Sequence, residues 1–201
     1  MIIIFFLVVV LFSAVIHEYM HGWMADRLGD STARDAGRLT LNPIAHLDVF
    51  GSFLMPLLLY ISTAGSLVFG YAKPVPFNPY NLSDQKYGSA KVAVAGPLAN
   101  FITAIFFGII IKFIPVFSPL YLFLAIIIRV NIMLMVFNLV PIPPLDGSKV
   151  IAPFLPYDWQ MKYLSLERYG FLLIILFIMF GFTLILPVIN FLSNLIVGQV
   201  F

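Results

Sequence analysis

Four apolar segments, each long enough to cross a lipid bilayer as a helix, constrain the fold of this chain more than any other feature. They lie near residues 2–24, 90–112, 119–140 and 169–187, and about 20 helical residues cross a hydrocarbon core of about 30 Å. Since 62% of the 201 residues are hydrophobic and only 10% are charged, a soluble domain with a wetted surface is excluded. We expect an all-α integral membrane protein, a polytopic helical bundle in which residues 1–201 form a single domain.

The connection between the first two spans holds less regular elements. Residues 38–41 alternate in polarity and then stop at Asn42 and Pro43, which predicts a short β element near the end of the first span. Residues 74–79 contain three prolines and cannot form a regular helix. The sequence does not say whether that loop controls entry to a site.

A possible metal site stands at the end of the first apolar segment, in the sequence His17-Glu18-Tyr19-Met20-His21. On a helix, residues i and i+4 share one face, so both imidazoles can bind one ion while Glu18 activates a water molecule. An H-E-x-x-H match also arises by chance in ordinary helices. Ionisable residues inside a membrane span are costly and mark functional sites, so we predict that His17 and His21 bind a metal and that Glu18 is catalytic.

The third metal ligand must come from a distant part of the chain. Cysteine is absent, which leaves histidine and carboxylate ligands, and these suit a single Zn²⁺ ion. Asp146 is the best candidate, because it follows an apolar helix where an unpaired acid is costly. The alternative is a turn carboxylate, since Asp-Gly is also a common turn pair.

The predicted metal site constrains the topology. Asp146 can meet His17 only if both lie on one side of the bilayer, so residues 49–70 should enter the membrane and return, which gives four to six membrane segments with one re-entrant. This model also satisfies the rule that cytoplasmic loops are rich in Lys and Arg. It leaves Lys112 alone on the outer face and places the following nine residues on the inner one: Arg27, Arg34, Arg38, Lys73, Lys86, Lys91, Lys149, Lys162 and Arg168. We expect a multi-pass protein of the cell membrane with its active site toward the cytosol.

Two amides inside the spans are candidates for a supporting role. Either Asn100 or Asn138 could donate a hydrogen bond to the oxyanion of a tetrahedral intermediate, and we favour Asn138 as a catalytic residue. The alternative is that these amides tie helices together. His46 could be a spare ligand, a proton shuttle or a loop histidine, and the sequence does not decide among these roles.

These motifs together resemble the site-2 protease family of intramembrane zinc metalloproteases, in a compact form without an appended soluble domain. The resemblance runs from about Ala14 to Lys149 and is carried by the following motifs: His17-Glu18-x-x-His21-Gly22, Gly29-Asp30-x-Thr32-Ala33, Gly37 to Pro43 with His46 and Asp48, Ala72 to Pro76, Gly96-Pro97-Leu98-Ala99-Asn100, and Asn138 to Gly147. It implies one zinc ion held by His17, His21 and Asp146, Glu18 as general base, and cleavage of transmembrane substrates.

Two other classes of membrane protein are alternatives to this family. The prenyl-protein proteases use a glutamate as third ligand, and the only other glutamate, Glu167, lies far along the chain beside Arg168. A zinc-binding transporter or a non-proteolytic scaffold is the remaining alternative, and an intact Glu18 argues against it. No basic patch suggests a nucleic-acid partner. We expect the lipid bilayer and membrane-associated substrate proteins as partners; the oligomeric state and the role of the C-terminal segment stay open.

Overall fold

A computed structural model of the chain describes residues 2–48 and 73–198, together with the isolated positions 54 and 61. The helices are α1 (Ile2–Arg27), α2 (Thr32–Asp35), α3 (Gly88–Ile111), α4 (Pro119–Asn138), α5 (Asp146–Ile151), α6 (Tyr157–Leu164), α7 (Gly170–Leu176) and α8 (Phe182–Val197). Four 3₁₀ turns lie at Pro43–His46, Pro79–Asn81, Ala152–Phe154 and Ser165–Tyr169. A π-helical turn, Phe177–Gly181, joins α7 to α8.

Four helical segments are long and apolar enough to cross a membrane, in agreement with the predicted bundle. They are α1, α3, α4 and the segment Tyr157–Val197, whose mean hydropathy is 3.0. The helix continues past Pro187 as far as Val197, so the apolar residues beyond Pro187 extend the last span. The π-helical turn lies within this last span, and the helix continues on both sides of it.

Helix α3 occupies the centre of the bundle, in contact with α1, α4 and α8. Many of its buried residues are small, which lets neighbouring backbones approach closely where no hydrophobic effect drives association. Its buried small residues are Gly88, Ala90, Ala93, Ala95, Gly96, Ala99, Ala104 and Gly108. Toward the end of the bundle that holds Ile111, α3 also contributes to a core of larger side chains from α4 and α8, including Ile128, Ile132 and Ile189.

The predicted β element at residues 38–41 does not form, and the part of the chain that the structure describes contains no strand. Alternating polarity alone does not make a strand, because a strand also needs a neighbour with which to form a hydrogen-bonded ladder. The contacts of this segment are isolated instead: the Arg38 guanidinium donates to Lys73 O at 2.9 Å, and Thr40 O bonds the His46 ring at 2.7 Å. The predicted re-entrant segment, residues 49–70, lies outside the described residues.

The loops at the α1 end of the bundle are tied together by a buried carboxylate. Asp30 is 0% exposed and accepts hydrogen bonds from Asn78 N at 2.6 Å, from Asn81 Nδ2 at 2.9 Å and from the Thr32 hydroxyl. A main-chain bond from Ser83 N to Leu28 O, 2.7 Å long, lies beside it. These bonds fix the start of α3 next to the end of α1.

We predict that Asp30→Asn lowers the free energy of unfolding by about 1–3 kcal/mol. The substitution replaces one of the two acceptor oxygens of Asp30 by an NH2 group, so donors that face that oxygen lose their hydrogen-bond partner. Thermal unfolding in detergent measures the effect. The control is Asp35→Asn on the exposed face of α2, where the carboxylate accepts a hydrogen bond from the Ser31 hydroxyl at the surface and the change should be small.

The same substitution has a defined pH dependence. Burial alone would raise the pKa of the Asp30 carboxyl, but hydrogen bonds from Thr32, Asn81 and Asn78 lower it below its ordinary value of 3.8. A lowered pKa stabilises the fold above the unfolded-state pKa of about 3.9, and this contribution is lost as the pH falls through the folded-state pKa. The stability difference between wild type and Asp30→Asn should therefore shrink below about pH 4, and a constant difference would contradict the assignment.

Candidate metal centre

Three potential metal ligands converge between α1, α3 and the start of α5. The Nε2 atoms of His17 and His21 lie 3.0 and 3.2 Å from Asp146 Oδ2, and one donor atom from each residue falls within 4.8 Å of the others. A tetrahedral zinc ion with bonds of about 2.0–2.1 Å holds its ligand atoms about 3.4 Å apart. The donor set and its spacing therefore fit one zinc ion.

Each imidazole is oriented by a bond from its other nitrogen. His17 Nδ1 donates to Asn100 Oδ1 at 2.6 Å, and His21 Nδ1 donates to the main-chain oxygen of Val92 at 2.7 Å. A proton on Nδ1 leaves the lone pair of Nε2 for a metal, which is the usual arrangement around metal-binding histidines. Both acceptors belong to α3, so this helix sets the orientation of both rings.

Asp146 reaches the histidines because the chain turns back directly after α4 and begins α5 at this residue. Its Oδ2 is the carboxylate atom that faces both Nε2 atoms. A carboxyl group binds a metal as its anion, and this position makes Asp146 suitable as the third ligand.

Two glycines make the convergence sterically feasible. A Cβ atom on Gly96 would lie 2.6 Å from Nε2 of both His17 and His21, and a Cβ atom on Gly147 would lie 2.2 Å from Leu139 O. A Cβ atom does not approach another heavy atom this closely, so the first glycine leaves room for the imidazoles and the second lets α5 start against the turn.

Glu18 lies beside the ligands and is held by the proline-containing segment. Its Oε2 accepts a hydrogen bond of 2.9 Å from Val75 N. Val75 stands between Pro74 and Pro76, neither of which has an N–H group, so this amide is the only main-chain donor in those three residues. No sequence pattern predicts this contact, because it joins residues 57 positions apart.

A cavity of about 160 Å³ opens onto the three ligands. Its wall is polar in part and is formed by residues from α1, α3, α4, α5 and the segment after residue 73, which are His17, Glu18, His21, Pro74, Val75, Phe77, Val92, Ala93, Asn138, Pro144, Leu145, Asp146 and Lys149. Asn138, predicted as catalytic, thus faces the same space as the ligands. One N–H of its amide bonds Leu134 O in its own helix at 3.0 Å.

Other residues singled out in the sequence lie apart from the ligands. His46 is 0% exposed, and its main-chain oxygen accepts from Lys73 N at 2.8 Å, so it joins two loops. It does not belong to the group of three ligands. Glu167 forms an ion pair of 3.4 Å with Lys149 and is likewise outside the group, which argues against a glutamate as third ligand.

Three further polar residues lie around the site that were not among the candidates predicted from the sequence. Ser13 and Asn131 are buried next to Asn100, and the rule that drew attention to Asn100, a polar group inside a span, applies to both of them. Lys149 follows Asp146 by three residues, which places both on one face of a helix. That spacing was available in the sequence as a signal.

Comparison with known proteins identifies relatives of one kind. The chain is 36% identical over 184 residues to "Putative zinc metalloprotease YwhC" of Bacillus subtilis, which covers 87% of this chain and 80% of the relative. It is 29% identical over 167 residues to "Putative zinc metalloprotease Rip2" of Mycolicibacterium smegmatis, covering 82% of this chain and 62% of the relative.

A third relative comes from an archaeon. The chain is 34% identical over 113 residues to "Putative zinc metalloprotease MJ0611" of Methanocaldococcus jannaschii, covering 55% of this chain and 58% of the relative. It thus spans less than two thirds of both Rip2 and MJ0611. No protein-family model and no solved structure matches the chain.

We predict that Gly96→Ala weakens zinc binding by about 10–100-fold or more, since even residues behind the ligands have effects of that size. Competition with a chelator of known affinity measures it. The control is Gly108→Ala in the same helix, whose Cβ would lie 2.2 Å from Ile196 Cγ2 and so disturbs packing far from the ligands. Gly108→Ala should lower thermal stability but leave the zinc affinity of the folded protein unchanged. Wild-type affinity in Gly96→Ala would refute this account of the site.

Proposed function

Because this chain belongs to the zinc metalloprotease family of these relatives, consistent with the site-2 protease family that its motifs resemble, we propose that it cleaves membrane proteins in or beside their transmembrane segments. The observation that carries the proposal is the depth of the ligand group. His21 stands six residues before the end of α1, about 9 Å along the helix axis, and α1 is apolar enough to span a membrane. A peptide bond that reaches these ligands must therefore come from a chain at the same depth.

Zinc would be held by His17, His21 and Asp146, the three donors that face the cavity. Bound there, zinc supplies Lewis acidity for hydrolysis of an amide. The two Nδ1 bonds keep the imidazoles in the orientation that binding requires, and the surrounding helices limit the access of bulk water.

Glu18 is the proposed general base. It follows His17 directly and lines the same cavity. Its Oε2 is occupied by Val75 N, but a carboxylate has a second oxygen that can accept the proton of the attacking water. The same group then returns the proton to the leaving amine. Asn138 has a second N–H beyond the one that bonds Leu134, and we assign that donor to the substrate oxyanion.

The proposed substrates are transmembrane or membrane-associated proteins. The carbonyl groups of a transmembrane helix are engaged in intrahelical hydrogen bonds, so the substrate must unwind locally before it can enter a cavity of about 160 Å³. Pro74 and Val75 form part of the wall of that cavity, so the segment that holds Glu18 also contacts the incoming chain.

The proposed orientation places the ligand group toward the cytosol. The inner face then carries most of the positive charges, with Lys112 in the short turn between α3 and α4 on the outer face. This is the distribution expected for a cell-membrane protein.

We expect Glu18→Gln to retain zinc and to lose proteolysis by about 10²–10⁴-fold, the usual contribution of a general base. The assay incubates the purified protein with a panel of membrane-anchored candidate substrates, with and without a chelator, and measures bound zinc in parallel. The control for a carboxylate-to-amide change is Asp158→Asn on the exposed face of α6. Cleavage that survives in Glu18→Gln would exclude this base, and zinc binding without any cleavage would favour a transporter or scaffold.

The orientation has a separate test, because the chain contains no cysteine and each introduced thiol is unique. Tyr80 is 87% exposed at the ligand end of the bundle and Phe117 is 93% exposed at the opposite end. In intact cells, a membrane-impermeant maleimide should label Phe117→Cys at once and Tyr80→Cys only after permeabilisation. The reverse pattern would place the ligand end outside.

A further inference from the structure

A chain of buried polar groups runs from α1 through α3 to α4 behind the metal ligands. It consists of Ser13, His17, Asn100 and Asn131, which we call the amide relay. Asn100 and Asn131 are 0% exposed, and Ser13 is 4% exposed. All four lie in helices that can span a membrane, where an unpaired polar group is costly because no water can replace its missing partner.

The relay is connected by hydrogen bonds throughout. Asn100 Nδ2 donates to Ser13 O at 3.1 Å and to Asn131 Oδ1 at 2.9 Å. Asn131 Nδ2 donates to the Ser13 hydroxyl oxygen at 3.0 Å and to Ile127 O at 2.9 Å. Both N–H groups of each amide are therefore used. Asn100 Oδ1 accepts from the His17 ring, and Asn131 Oδ1 accepts from Asn100.

Two main-chain carbonyl groups fix the direction of the relay. A carbonyl oxygen can only accept a hydrogen bond, so Ile127 O requires the nitrogen of Asn131 and Ser13 O requires the nitrogen of Asn100. If either amide turned by 180°, two oxygen atoms would face each other without a proton between them. The oxygen of Asn131 must therefore face Asn100, and the oxygen of Asn100 must face His17.

This direction determines the tautomer of His17. Asn100 Oδ1 offers only an acceptor to the ring, so His17 Nδ1 must carry the proton and Nε2 must present its lone pair to the metal. For His21 the same condition is met without any side chain, because its acceptor is the main-chain oxygen of Val92. The two ligands thus differ in how they are held, and only His17 depends on side chains that mutation can remove.

We propose that Asn131 and Ser13 are positioning residues for the metal centre, acting through the Asn100 amide to hold His17 in the tautomer and orientation that bind zinc. The inference rests on the proposed zinc site and adds two residues that do not touch the ion. A purely structural role, in which the same amides only tie three helices together, predicts a different outcome in the following experiment.

The first measurement is the zinc affinity of single variants of the full chain, by competition with a chelator of known affinity. Asn131→Leu should weaken zinc binding by about tenfold, the lower end of the effects seen for residues behind a metal ligand. Ser13→Ala should weaken it less, because Ile127 O still holds the amide of Asn131. The matched control is Thr103→Val in α3, which removes a bond of 2.8 Å to Ala99 O outside the relay and should leave zinc affinity unchanged.

The second measurement separates positioning from structure by adding Asn131→Leu to proteins that lack one ligand. With His17→Ala, Asn131→Leu should cause no further loss of zinc affinity, because the ring it positions is gone. With His21→Ala, it should still cause a loss of about tenfold. A purely structural role lowers affinity equally in both backgrounds, and that result would overturn the proposal.

A second variant keeps the test valid if Asn131→Leu does not fold. In Asn131→Ser the shorter side chain can bond back to Ile127 O but cannot reach Asn100, so the same dependence on His17 is expected. Thermal unfolding of the metal-free proteins shows that each variant is folded. If wild type binds no zinc, the proposed function fails; if it binds zinc and both Asn131 variants match its affinity, only the present inference fails.

Discussion

Two imidazoles near the start of the chain and one carboxylate more than a hundred residues later meet inside the helical bundle, at 3.0 and 3.2 Å. This contact requires α1 and the turn after α4 to lie at one depth in the bilayer. It also requires Gly96 in α3, because any larger side chain would fill the space that the two rings occupy. The central position of α3 follows from the same requirement, since it supplies the acceptors for both Nδ1 atoms.

The apolar surroundings explain why the polar groups near the site are so completely paired. In a bilayer, a buried donor or acceptor has no water to replace a missing partner, so a polar residue is tolerated only within a satisfied network. Ser13, Asn100 and Asn131 meet this condition through five hydrogen bonds, four of which join the spans α1, α3 and α4 to one another. Burying these groups has a desolvation cost, and the network that they form fixes the orientation of the His17 ring. A flexible polar pocket would not fix it.

The loops at the ligand end extend the site beyond the membrane helices. Asp30 ties the loop after α1 to the segment before α3, and Val75, which precedes that segment, holds Glu18. The proposed base is thus oriented by a loop, while the proposed ligands are oriented by helices. Such a division is reasonable for a protease, because the metal must stay in place while the chain around the base admits and releases a substrate.

The sequence alone determined the class of protein, the positions of the spans and the identity of the candidate residues. These predictions need only local properties and no knowledge of contacts. The properties are the length of the apolar segments, the spacing of His17 and His21, and the cost of an acid at Asp146. Local alternation was misleading at residues 38–41, because a strand depends on a neighbour that the pattern does not reveal. Only the tertiary structure brought Val75 to Glu18, Gly96 to the imidazoles and Asn131 to the Asn100 amide. These contacts join residues far apart in the chain, and their geometry depends on how the helices pack, which no single segment encodes.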